Sequence, residues 1–209
     1  MNSKMIILIG GAPTTGKSTM AKLLANHLNL PWISTDQIRD TMKATVTRQN
    51  YQKLFGPEGF DTPESSIDFY KKYSREEVVQ IMMDEAEASW VAIKKFIEEK
   101  NRLTEGFIIE GVHILPYLVA RDFKLAKGVK PLFLVDKDAD RIQAVIATRG
   151  LWSKTEKYPD EVKEKELEWV TLFSQKMKTD AIEHQLPWVE MKKESDDLQS
   201  ILSLLGIES

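Results

Sequence analysis

Met5-Ile6-Ile7-Leu8-Ile9-Gly10-Gly11-Ala12-Pro13-Thr14-Thr15-Gly16-Lys17-Ser18-Thr19 is the stretch that decides the fold. An unbroken apolar run fits a strand buried on both faces, as in parallel sheets. The run ends in glycine, and Gly11 to Ser18 fill every fixed position of G-x-x-x-x-G-K-[ST]. Each fixed position has a physical reason. Gly11 and Gly16 let the backbone turn tightly and approach an anion. The amides of Ala12, Pro13's neighbours, Thr14 and Thr15 then line a cradle closed by a helix N-terminus with its positive dipole end. Lys17 adds a compact charge, Ser18 a hydroxyl suited to Mg²⁺, and Thr19 a hydroxyl toward the α-phosphate. Downstream, Met20, Leu23, Leu24 and Leu28 give the apolar stripe of a helix from Ser18 to Leu28.

The rest of the chain alternates strand and helix patterns. Strands are expected at Trp32–Ser34, Phe107–Ile109, Pro131–Val135 and Trp188–Met191. Helices are expected from Asp36, over Arg75–Lys100 and Asp160–Gln185, from Asp138 to Thr148 with Gly150 as the stop, and after a Ser195 cap. Such alternation implies right-handed crossovers and a three-layer α/β domain with five parallel strands. The 209 residues fit one domain. Residues 45–75 read as a turn-rich, partly helical excursion on the substrate side, and 141–160 as a small lid.

Composition narrows the chemistry. There is no cysteine, which excludes disulfides, thiolate metal sites and cysteine nucleophiles. The formal net charge of −3 leaves no global cationic field and argues against non-specific nucleic-acid binding. The first apolar run is too short for a signal core, and no segment approaches a membrane span, so a cytoplasmic address is expected.

In open α/β folds ligands sit beyond the carboxyl ends of the strands. Asp36 and Glu110 fall there. Asp36 either orients and deprotonates an attacking hydroxyl or caps the helix that follows it. Glu110, after three apolar residues, needs a partner: a Mg²⁺ water, the substrate or Lys17. Arg39, three residues after Asp36, suits either an anion clamp or a surface ion pair. His113 lies near Glu110 and Gly111. Over the lid, Arg149 is the first candidate for an arginine on the phosphates and Arg141 the second; Lys154 and Lys157 read as a solvated basic face.

Three blocks resemble the 2-phosphoglycerate kinase family of P-loop kinases: Ile9-Gly10-Gly11 with Gly16-Lys17-Ser18-Thr19, Ile33-Ser34-Thr35-Asp36-Gln37-Ile38-Arg39, and Ile109-Glu110-Gly111-Val112-His113-Ile114-Leu115-Pro116. A fourth is His184-Gln185-Leu186-Pro187. The resemblance implies a P-loop NTPase fold of the nucleoside- and shikimate-kinase type. It also implies ATP, Mg²⁺ and a small-molecule phosphoryl acceptor as ligands. The implied reaction converts ATP and 2-phosphoglycerate to ADP and 2,3-bisphosphoglycerate. By the same analogy Asp36, Arg39, Glu110, Gly111 and His113 surround the acceptor. Two other readings share the loop: a kinase for a nucleic-acid end, nucleotide sugar or antibiotic, and an ATP-binding switch. Adenine is expected near 192–195.

Overall fold

The computed structural model describes residues 5–47, 50, 55, 63–103, 106–149, 159–191 and 198–207. In chain order its elements are β1 (Met5–Gly11), α1 (Lys17–Leu28), β2 (Trp32–Ser34), α2 (Thr35–Thr45), α3 (Pro63–Lys72), α4 (Arg75–Leu103), β3 (Gly106–Gly111), α5 (Pro116–Phe123), β4 (Val129–Val135), α6 (Ala139–Arg149), α7 (Asp160–Glu183), β5 (Trp188–Glu190) and α8 (Leu198–Leu204). The five strands form one sheet in the order β2-β3-β1-β4-β5, with every pairing parallel. β1 sits at the centre because it has no polar side chain: Ile6 to Ile9 are all at most 1% exposed.

Alternation along β1 explains the three layers. Ile6 and Leu8 join Phe107, Ile109 and Phe133 on one face, covered chiefly by α4, α5 and α7. Ile7 and Ile9 join Ile108, Leu132 and Leu134 on the other, covered by α1 and α8 through Met20, Leu24, Ile201 and Leu202. α4 buries Val79, Met82, Ala86, Trp90, Ile93 and Ile97 at helical spacing. Trp90 Nε1 also donates to Asp122 Oδ2 on α5 at 2.7 Å. Pro116 begins α5, where its missing N–H costs nothing.

The sheet places β1 between β3 and β4, so the strand order reverses at β1 and a crevice opens at its carboxyl end. α7 extends beyond that edge. The Asp136 amide, just after β4, donates to Ser174 Oγ at 2.8 Å. α7 starts at Asp160, so roughly 21 Å of helix stands above that rung. α3 leans on this overhang, with Trp169 Nε1 donating to Tyr70 Oη at 3.0 Å.

The 45–75 excursion is more regular than its composition suggests: α2 runs through Thr45, and α3 fills Pro63–Lys72. The span expected to form the lid, 141–160, begins inside α6. Arg141 lies in α6 and is pinned to Asp136 Oδ1 and, at 2.7 Å, to the Met191 carbonyl. A residue anchored to the ends of β4 and β5 belongs to the body of the domain. The expected lid residues Gly150, Lys154 and Lys157, the Ser195 cap and the 192–195 loop lie outside the described residues, as does the Arg149 side chain. No described helix is long and apolar enough to cross a membrane.

One core position is costly. Glu166, on α7, is 0% exposed, and neither carboxylate oxygen has a hydrogen-bond partner among the described residues. Burial pushes its carboxyl up from the ordinary 4.5 to about 8. The folded chain therefore keeps a proton that the unfolded chain releases between about pH 4.5 and 8. Stability from this group is complete below 4.5 and falls as pH rises through 8. Glu166→Gln is expected to flatten the loss of unfolding free energy between pH 5 and 8 by about 1 kcal/mol per pH unit. Urea denaturation across that range checks this; parallel pH profiles for both proteins contradict it.

Candidate active site

The loop after β1 is shaped by its own backbone. Thr14 and Gly16 adopt positive φ of 72° and 82°, and Gly16 forms the N-cap of α1. A Cβ on Gly11 would collide with the Leu134 carbonyl on β4. Thr15 Oγ1 donates to the Ala12 carbonyl at 2.9 Å, closing the loop on itself. Lys17, 8% exposed, donates from Nζ to the same carbonyl at 2.7 Å. Thr14 Oγ1 is buried with no hydrogen-bond partner among the described residues. The cradle therefore has a buried cation and an orphaned hydroxyl at a helix N-terminus, which fits an anionic phosphate group.

The register of β1 with β3 pairs Ile9 with Glu110 and Gly10 with Gly111. This sets Glu110 beside the loop, 3% exposed, where its Oε1 accepts from Ser18 Oγ at 3.0 Å. Burial pushes the Glu110 carboxyl up from its ordinary value, opposed by the Lys17 charge and the Ser18 hydroxyl. Of the partners expected for this acid, the Lys17 charge is at hand, and the loop serine Ser18 adds one that was not expected. Among the described residues no cluster of three or more His, Asp or Glu forms a metal cage. Mg²⁺ would rest on Ser18, Glu110, phosphate oxygens and water, which suits a small hard cation that keeps part of its hydration shell.

β2 pairs with β3 so that Ser34 lies beside Glu110. α2 then starts at once. Ser34 is its N-cap, with its Oγ accepting from the Asp36 amide at 3.2 Å and Gln37 completing a capping box. The alternative that Asp36 caps this helix does not hold: Ser34 is the N-cap. The Asp36 side chain, 56% exposed, is left at the crevice, 3.5 Å from Arg39 Nη1.

Two residues expected on the acceptor are corrected to supporting roles. His113 is 1% exposed and faces Thr35 Oγ1 at 2.9 Å through Nδ1, with Asp36 Oδ1 at 3.7 Å. Burial, reinforced by Arg39 and Lys43 and opposed by Glu85, pushes its imidazole down to about 4. It is a neutral ring at pH 7 that holds the first turn of α2 against β3. Gly111 packs on that same turn: a Cβ there would land on Thr35 Oγ1 and approach Thr35 Cβ to 2.8 Å. The residue reading gave no role to Thr35, Glu85 or Asp136. Asp136 is 1% exposed and holds Arg141, and its Oδ1 accepts from the Asp138 amide at 2.9 Å. It carried the same signal as Glu110, an acid closing an apolar strand.

The site lies where the sheet reverses order, and its parts come from the ends of β1, β2 and β3. The chain matches no protein-family model. Similar solved structures include shikimate kinase from Bacteroides thetaiotaomicron, with a TM-score of 0.53, 14% identity and coverage of 97% of this chain and 99% of that one. Deoxyadenosine kinase from M. mycoides gives a TM-score of 0.50 at 14% identity, covering 97% and 99%. The fold is thus that of the P-loop kinases of the shikimate and nucleoside type. Among curated sequences, the 2-phosphoglycerate kinase of Methanothermobacter thermautotrophicus is 31% identical over 155 residues, 72% of this chain and 49% of that protein. The 2-phosphoglycerate kinase of Methanopyrus kandleri is 26% identical over 209 residues, 97% of this chain and 61% of that protein. Within the P-loop kinases the chain is a relative of the 2-phosphoglycerate kinases, as its motifs indicate. It spans about half the length of the curated relatives it matches.

Gly111→Ala is expected to cost about 2 kcal/mol or more in unfolding free energy, since the displaced atoms are those of the buried, β-branched Thr35 side chain, whose hydroxyl is engaged by His113. Equilibrium denaturation measures it; an unchanged midpoint and slope contradict the close approach.

Proposed function

We propose that the chain is an ATP-dependent phosphotransferase and that its acceptor is 2-phosphoglycerate, yielding ADP and 2,3-bisphosphoglycerate. The observation that supports this most directly is the meeting of Lys17, Ser18, Glu110 and Asp36 at the carboxyl ends of three adjacent strands. The names of the sequence relatives point to the acceptor.

Phosphoryl transfer asks the protein mainly for positioning and charge stabilisation. The loop amides would hold the phosphates, and Lys17 would exchange the Ala12 carbonyl for β- and γ-phosphate oxygens. Ser18 and Glu110 are the residues that would hold Mg²⁺, which supplies charge neutralisation on those oxygens. Asp36 would orient the acceptor hydroxyl and take its proton as the new oxygen–phosphorus bond forms. The bond from the γ-phosphorus to the bridging oxygen breaks, and ADP leaves with that electron pair. Arg39 would bind the acceptor's anionic group. Arg149 is proposed as the lid arginine, with Arg141 anchoring the helix that carries it.

The test is Mg²⁺-dependent ADP formation with and without 2-phosphoglycerate, with the product identified by mass. Acceptor-stimulated turnover is expected, reduced about 10²–10⁴-fold by Asp36→Asn and abolished by Lys17→Ala. Tight ATP binding with no acceleration by 2-phosphoglycerate contradicts the acceptor assignment and directs the search to other hydroxyl acceptors.

A further inference from the structure

Two charged residues on the acceptor side have no part in the reading above, and both converge on Arg39. α2 carries Asp36, Arg39 and Lys43 at i, i+3 and i+7, a row along one helix face. Opposite that row, α4 supplies Glu85, whose side chain is 7% exposed. Glu85 Oε1 lies 2.9 Å from Lys43 Nζ and 3.7 Å from Arg39 Nε. A carboxylate so deeply buried is costly without partners, and these two cations stand within ion-pair distance of it. The Phe55 ring lies 5.1 Å from Lys43 Nζ and limits that side chain further.

The two cations are held from behind and still reach solvent, with side-chain exposures of 15% for Arg39 and 24% for Lys43. Arg39 Nε and Nη2 also grip Asp40 Oδ1, at 3.0 and 2.9 Å. Asp40 is 64% exposed, so this is a surface pair of small worth that a ligand oxyanion can replace. With Asp40 displaced, Arg39 and Lys43 face the crevice with Glu85 behind them and Asp36 a helical turn away.

We infer that Arg39 and Lys43 form the seat for an anionic group of the acceptor, and that Glu85 is the positioning residue that aligns them. The inference rests on the phosphotransferase reading and deepens it. It adds Lys43 and Glu85 to Arg39 as determinants of how the acceptor's anionic group is held. The guanidinium fork suits two oxygens of such a group and the ammonium a third.

Calorimetric titration of the full chain, with Mg²⁺ and a non-hydrolysable ATP analogue present, tests this with 2-phosphoglycerate, 3-phosphoglycerate and glycerol as probes. The two acids are expected to bind and glycerol not. Lys43→Met and Glu85→Gln are each expected to raise the Kd of the acids at least tenfold while the Kd of the nucleotide analogue stays within threefold. Glu85→Asp is expected to recover part of the loss. A merely structural Glu85 would lower the fraction of competent protein, seen as stoichiometry, and leave Kd alone. Acid affinities unchanged in Lys43→Met and Glu85→Gln, equal binding of glycerol, or no binding of either acid by the unaltered chain each overturn the seat. Acid binding that depends on Lys43 and Glu85, without acceptor-stimulated ATP cleavage, upholds the seat and sinks the phosphotransferase reading.

Discussion

The hydrogen bond from Ser18 to Glu110, 3.0 Å long, joins the first turn of α1 to the end of β3. The site depends on it because it ties the phosphate loop to the strand that also carries the acceptor side. Glu110 is an acid at the end of an otherwise apolar strand, and an acid in that place is expensive without partners. Lys17 and Ser18 are those partners, and the parallel register of β1 and β3 brings them within reach. β3 ends at Gly111, and the turn after it carries His113. Gly111 admits Thr35 so closely that no side chain fits between them, and His113 holds the Thr35 hydroxyl. The residue that meets the phosphate loop and those that meet the first turn of α2 thus follow one another at the end of one strand.

α2 is the second organising element. Its capping box spends Ser34 and Gln37 on the helix terminus, which frees the neighbouring acid from that task. The helix periodicity then lines up Asp36, Arg39 and Lys43 toward α4. Glu85 answers that row from α4, a long helix whose other buried positions are nearly all apolar. An ionisable group placed on such a stripe costs stability, and here two cations offset the cost. Glu166 on α7 has no such compensation, and it carries a proton into the neutral range instead.

Much of this was legible in the residues. The β1 run, the glycines and Lys17-Ser18 give strand, loop and helix in order because backbone approach to an anion tolerates few alternatives. The five strands and the long helices follow from their apolar periods, and Asp36 and Glu110 from their places after strands. Side-chain direction was not legible. Nothing in Glu110-Gly111-Val112-His113 tells that the histidine turns inward to Thr35, since that follows from α2 packing on β3. Glu85 sits one residue from Ala86 on a helix with many acids, and only the packing of α4 on α2 separates it from the exposed ones. The short α5 has too few turns for its period to stand out, although Pro116 marks its start.

The central claim is that Glu110 and Ser18 act together as the metal side of the nucleotide site. The direct measurement is the affinity of a non-hydrolysable ATP analogue with and without Mg²⁺, in the unaltered chain and in Glu110→Gln. The account predicts that Mg²⁺ strengthens binding at least tenfold in the unaltered chain. In Glu110→Gln that enhancement should largely vanish, while metal-free affinity is kept or increased because Lys17 loses a competing carboxylate. An equal enhancement by Mg²⁺ in both proteins would contradict it and leave Glu110 as a structural partner of Lys17 alone.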